Sequence, residues 1–181
     1  MRVALITGGN KGLGYETARQ LKEQGYKVYI GSRDTARGAQ AAEALDVTSI
    51  QLDVTDEDSI KQAAEAIQAE EGRLDILINN SGISGSMKPP EAITAEVMQQ
   101  VYDTNVFGIV RMMHHFVPLL EQSSQPVVVN VSSGLGSFGM VTNPDTEEYQ
   151  VNSLAYCSSK SAVTMLTVQY AKRLTHMQIN A

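Results

Sequence analysis

Tyr156 and Lys160 stand four residues apart in a helix-patterned stretch, so one helical face carries both. A phenol, with an ordinary pKa near ~10, is a poor base at neutral pH, and an adjacent ammonium favours the phenolate. The pair could therefore pass a proton to or from a substrate oxygen. Ser132 and Ser133 follow the apolar run Val127 to Val131. A hydroxyl at a strand's carboxyl end could hold that same oxygen, although serine also serves there as a turn former. Near the N-terminus, Thr7-Gly8-Gly9-Asn10-Lys11-Gly12-Leu13-Gly14 joins the first apolar run to the first helical one. Glycines in that place permit a tight turn and close backbone approach to a pyrophosphate, whose charge then faces the helix N-terminus. No Gly-Lys-Ser/Thr follows, so the loop is not a Walker A loop.

The second strand ends in Gly31-Ser32-Arg33, with no carboxylate at the first two positions. An acid there would suit a ribose 2′-hydroxyl, and an arginine a 2′-phosphate. Arg33 and Arg37 share a face if the helix starts near Asp34, and Lys11 adds a third cation. NADP is therefore favoured over NAD. Asp34 could instead cap the helix or serve an NAD ribose. Asp53, in Leu52-Asp53-Val54 at the end of the third strand, could meet the adenine amine or cap a helix.

These groups need a scaffold, and the chain alternates short β-branched runs with helical ones. Strands are expected at Val3 to Ile6, Lys27 to Ile30, Ser49 to Leu52, Leu74 to Ile78 and Val127 to Val131, with another beginning at Gln178. Helices are expected at Leu13 to Gln24, Thr35 to Leu45, Asp56 to about Glu71, Ala92 to Thr104, Val106 to Leu120 and Leu154 to Thr175. This order predicts an α/β fold, a doubly wound parallel sheet with helices on both faces. Gly134 to Ser153 is the one long irregular loop, of a length that usually marks function or mobility.

The 181 residues suit one domain, and 20 acidic against 14 basic side chains (net −6) argue against a broad nucleic-acid surface. No apolar run approaches the ~18 residues needed to span a bilayer, and no signal-peptide pattern precedes Val3. One cysteine, Cys157, excludes an internal disulfide and fits a reducing, cytoplasmic setting, with packing its expected role. His114, His115 and His176 form no metal-ligand spacing, so no metal is expected. Met98, Met112, Met113 and Met165 read as core or interface filler.

Taken together in chain order, the glycine loop, Asp53-Val54, Asn79-Asn80-Ser81-Gly82, Asn105, Asn130-Val131-Ser132-Ser133 and Tyr156-x-x-x-Lys160 resemble a classical short-chain dehydrogenase/reductase over the whole chain. Gly8 to Gly12, Arg33-Asp34-x-x-Arg37-Gly38 and the long segment before Tyr156 are most similar to the NADPH-dependent carbonyl reductase branch. The resemblance implies a Rossmann fold and hydride transfer from NADPH to a ketone, aldehyde or quinone-like carbonyl. It implies Tyr156 as general acid and Lys160 as the group that activates it and binds the nicotinamide ribose. Ser133, rather than Ser132, would hold the substrate oxygen, Asn105 would hold a water in a relay to Lys160, and Asn79 and its neighbours would support the sheet and the adenosine half. The cofactor set it implies is Gly8, Asn10, Lys11, Gly12, Leu13, Gly14, Arg33, Arg37, Asp53, Val54 and Asn80, with Tyr156 and Lys160. Ser81 departs from the usual alanine. Relatives of this kind continue into a Pro-Gly loop, further strands and a substrate lobe, so the sheet is expected to be C-terminally incomplete. The alternative function is an NADP-binding module without turnover, or a fragment of a longer reductase. Helices beginning near Asn105 and Leu154 often pair in dimers, and the segment before Ser153 tilts the expectation towards a monomer.

Overall fold

Continuous apolar strands cannot offer one face to water, and here they lie at the centre of the molecule, covered on both sides. A computed structural model describes residues 1–181. Its six strands are β1 (Val3–Thr7), β2 (Lys27–Ser32), β3 (Thr48–Gln51), β4 (Ile76–Asn79), β5 (Val127–Asn130) and β6 (Gln178–Asn180). All pair in parallel, in the order β3-β2-β1-β4-β5-β6. The helices are α1 (Gly12–Glu23), α2 (Thr35–Leu45), α3 (Glu57–Glu71), α4 (Ala95–Tyr102), α5 (Gly108–Leu120), the short α6 (Phe138–Val141) and α7 (Leu154–Arg173). None is long and apolar enough to cross a membrane.

Side-chain alternation along β1 divides the core. Val3 and Leu5 pack with Ile60, Ile67, Met112, Phe116 and Val163, from α3, α5 and α7. Ala4 and Ile6 pack with Ala18, Ala41 and Leu45, from α1 and α2. The doubly wound sheet follows from this, and its strand order reverses between β1 and β4, where a crevice opens. Met112 and Met113 are core residues, whereas Met165 and Val168 on α7 stay exposed.

Three local expectations need correction. Ala92 does not begin a helix: Pro90–Ala92 is a 3-10 turn, and α4 starts at Ala95. Nor are there two separate helices around Asn105. α4 runs into α5 through a π turn at Asp103–Phe107, whose extra residue shifts the apolar phase and mimics a break. The segment Gly134 to Ser153 is not irregular throughout either, since it holds 3-10 turns at Gly134–Gly136 and Glu147–Gln150 around α6. Leu135, Phe138, Val141 and Val151 from it line a pocket with Leu154 and Cys157 of α7.

Asp75, the one charge in the β4 run, anchors the opposite end of the sheet. Its buried carboxylate accepts from the Val3 amide (2.7 Å), the Ser123 hydroxyl (2.5 Å) and Arg73 Nε (3.2 Å). Burial alone would push this carboxyl up, but the three donors outweigh it and hold it below the usual carboxylate range. A depressed carboxyl stabilises the fold above its unfolded-state pKa and loses that contribution as pH falls. Asp75→Ala is therefore expected to cost about 2–3 kcal/mol at pH 7. The gap from the parent should narrow below about pH 4 in urea titrations, and a constant gap would contradict this.

Candidate active site

The phosphate loop is shaped by steric need. Gly8 (φ +64°) and Gly12 (φ +57°) adopt left-handed backbone, which glycine takes at little cost. A Cβ on Gly14 would lie 2.5 Å from Asn80 Nδ2 and 2.8 Å from the Gly8 carbonyl oxygen. Asn80 holds the loop from the other side of the crevice, donating to the carbonyls of Thr7 (2.8 Å) and Gly8 (3.3 Å). The Thr7 hydroxyl in turn accepts from the Asn80 and Ser81 amides, both at 2.9 Å. Asp34 caps α2 and Asp56 caps α3, but no side chain caps α1, whose first residue follows Lys11. Uncapped amides at the end of a glycine loop favour an anion. Leu13 projects into solvent, 62% exposed.

A groove of about 350 Å³ runs from this loop past the ends of β2, β3 and β4. Its lining includes Gly8, Asn10, Lys11 and Gly12 of the loop, Arg33 after β2, Leu52 and Val54 after β3, and Asn80, Ser81, Gly82 and Ile83 after β4. Ser81 is accommodated, with its Oγ 3.0 Å from where a Cβ on Gly8 would stand. The arginines are placed differently from the helical-face expectation, because α2 begins at Thr35 and Arg33 precedes its cap. Arg37 lines a neighbouring depression with Asn10, Lys11 and Tyr15. Asp34 is engaged twice by Arg37, accepting from its amide (3.0 Å) and pairing with its Nε (3.4 Å). The capping alternative for Asp34 is thus the one realised. Asp53 caps no helix: its Oδ1 accepts from the Thr55 amide (2.9 Å) and hydroxyl (2.7 Å), and Asp56 is the cap of α3.

Two of the chemistry-bearing residues, Asn105 and Lys160, meet at Gly82 of the groove lining. A Cβ there would lie 3.5 Å from Asn105 Oδ1 and 3.8 Å from Lys160 Nζ. Lys160 is 5% exposed, donates to the Val131 carbonyl (2.5 Å), and sits 5.6 Å from the centroid of the Tyr156 ring. Burial holds its ammonium below the usual lysine range. Asn105 lies in the π turn. It accepts from the Ile83 amide (2.9 Å) and donates to the Ile83 carbonyl (2.9 Å) and Ser159 Oγ (3.0 Å). Both its amide hydrogens are thereby engaged, so its side chain acts as a clamp on Ile83. Ser133 accepts from the Leu135 amide (3.2 Å), which leaves its hydroxyl hydrogen free. Ser132 instead turns to α7, donating to the Lys160 carbonyl (3.2 Å) and bonding Thr164 Oγ1 (2.9 Å). Asn79 donates to Asn130 (2.8 Å), and Asn130 to Thr167 (2.9 Å), joining β4, β5 and α7 beneath the site.

Ser159 and Ile83 complete this arrangement, and their residue types alone carry no sign of it. Ser159 links Asn105 to the Tyr156 carbonyl (2.7 Å). Its only sequence signal is its place inside Tyr156-x-x-x-Lys160.

The family model described as short chain dehydrogenase matches residues 2–181. The chain is 39% identical over 177 residues to the short-chain dehydrogenase anuI of Penicillium roqueforti, covering 91% of this chain and 69% of that protein. It is 38% identical over 168 residues to (+)-neomenthol dehydrogenase of Arabidopsis thaliana, covering 78% of this chain and 57% of that one. Among solved structures, salutaridine reductase of Papaver somniferum superposes with a TM-score of 0.85 at 27% identity, covering 99% of this chain and 85% of that one. The RhlG/NADP active-site complex of Pseudomonas aeruginosa gives 0.88 at 30%, covering 99% and 70%. A 3-ketoacyl-(acyl-carrier-protein) reductase of Brucella melitensis complexed with NADH gives 0.87 at 26%, covering 98% and 72%.

Proposed function

Since the chain belongs to the short chain dehydrogenase family, we propose that it uses NADP(H) to reduce a ketone, aldehyde or quinone-like carbonyl to an alcohol. The observation that carries this is the meeting of Lys160 and Asn105 at Gly82, a residue of the groove lining, with Lys160 Nζ 5.6 Å from the Tyr156 ring centroid.

The groove's residues fit a nicotinamide dinucleotide: a glycine cradle that a Cβ would fill, an uncapped helix, and cations beside the end of β2. When bound, the cofactor supplies the hydride. Tyr156 gives its hydroxyl proton to the carbonyl oxygen as charge develops there, and solvent later restores it. Lys160, fixed by the Val131 carbonyl, places an ammonium beside the phenolate left behind. Ser133 donates its free hydrogen to the same oxygen. Asn105 holds Ile83, and so sets the wall beside the reacting centre.

Three features support NADP over NAD. Asp34 is engaged by its own helix and Arg37, Arg33 lines the groove, and Lys11 stands at its mouth. Titration by nucleotide fluorescence should give tighter binding of NADPH than NADH. The double variant Arg33→Ala, Arg37→Ala should lose about tenfold or more for NADPH and little for NADH, as expected for lost charge-assisted phosphate bonds. Tighter binding of NADH by the parent would overturn the preference. The chain spans 57% of the length of the neomenthol dehydrogenase it matches, and the second reading is binding without turnover. Carbonyl-dependent NADPH oxidation by this chain would refute it.

A further inference from the structure

Arg111 lies on α5, away from the glycine loop and from Tyr156, and no motif marks it. Its guanidinium is largely sheltered, with 24% of the side chain exposed. Nη1 donates to the main-chain carbonyls of Val54 (3.2 Å) and Asp103 (3.3 Å), and Nη2 donates to Asp103 Oδ1 (2.7 Å). Nε faces Glu57 Oε2 at 3.6 Å, and Glu57 also meets His115 Nε2 at 2.7 Å. One cation thus ties three segments: the turn after β3, the π turn, and the first turn of α3.

Val54 is the partner that connects this tie to a ligand, because it is among the residues that line the groove, and its side chain, 6% exposed, is packed into the apolar core behind it. It is backed by Gly108, where a Cβ would stand 3.0 Å from both Val54 Cβ and Cγ2. The Val54 carbonyl points to Arg111, while the bonds within the turn fall on its neighbours Asp53, Thr55 and Ser59. Without Arg111, the residue that forms the groove wall would lose its fixed main-chain anchor.

We infer that Arg111 is a positioning residue for the adenine end of the groove, holding Val54 as a preformed apolar wall for a purine ring. This rests on the dinucleotide reading given above. The competing role is a plain tie between α3 and α5, which would affect stability without favouring any part of the groove. Preorganisation makes a different prediction, because an anchored wall costs no ordering when the ligand arrives.

The test titrates the parent, Arg111→Met and Arg111→Lys with 2′-phospho-ADP-ribose, which carries the adenine half and no nicotinamide, by calorimetry. Backbone hydrogen exchange of the ligand-free proteins is followed in parallel. Arg111→Met should weaken the probe about tenfold, the scale of a lost charge-assisted bond, with Arg111→Lys between it and the parent. Exchange should rise at residues 52–56 and stay at parental levels across residues 8–14. Affinity within about twofold of the parent would overturn the inference, and so would loosening spread equally over both segments. If Arg111→Met does not fold by its melting profile, Arg111→Lys decides on the same criteria. Failure of the parent itself to bind the probe would sink the dinucleotide reading instead.

Discussion

Tyr156→Phe is expected to reduce carbonyl-dependent NADPH oxidation about a thousandfold or more while leaving NADPH affinity within about threefold of the parent. The substitution keeps the ring in the first turn of α7, and with it the packing beside Lys160, whose Nζ lies 5.6 Å from the ring centroid. It removes only the hydroxyl, the proton donor of the proposed reaction. Ser133 retains a free hydrogen and can still orient the carbonyl, but a serine hydroxyl is a far weaker acid. Initial rates at saturating NADPH, beside a fluorescence titration, separate the two effects. Turnover within tenfold of the parent would remove Tyr156 from the role of acid.

Gly136→Ala should lower the unfolding free energy by about 1–3 kcal/mol and turnover by about a hundredfold. The added carbon would stand 2.5 Å from the Lys160 carbonyl carbon, 2.7 Å from the Ser161 amide and 2.8 Å from Lys160 Cβ. Two of these are backbone atoms inside α7 and cannot swing aside. Ser161 Oγ donates to the Gly136 carbonyl (2.8 Å), so the turn cannot lift off the helix without losing that bond. The strain therefore falls on Lys160, the residue whose position matters most. Gly139→Ala is the control, since its nearest neighbour would be Ser137 Oγ at 3.9 Å. Melting curves and kcat for both variants test the claim, and equal behaviour of the two would contradict it.

Much of the scaffold is legible because it depends on local rules. The β-branched runs, Asp34 as the cap of α2, Asp56 ahead of α3 and Gly72 as its left-handed stop all act within a few residues. The long-range features are not legible in this way. The tightness at Gly136 arises because a turn after β5 meets the middle of α7, a contact with no trace in composition. Arg111 looks like any helical cation until the fold brings Val54 and Asp103 to it. The π turn hides for another reason: one extra residue reads as a helix boundary. Within the site, spacing could pair Tyr156 with Lys160, but it could not reveal that the side chain of Asn105 is engaged by Ile83 and Ser159.

The buried chain Asn79–Asn130–Thr167 also bears on how the strands find their alignment. Because side chains alternate, sliding β5 by two residues against β4 would keep its apolar face inward and go unopposed by the valines. Such a slip would part the Asn79–Asn130 pair, now directly opposite in register, and would draw Asn130 away from Thr167. Each orphaned amide, sealed from water, costs about 1–3 kcal/mol. A run of three valines that is ambiguous by itself is thus made unique by the polar residue that ends it, so the same asparagine that underlies the site excludes the nearest misaligned sheet.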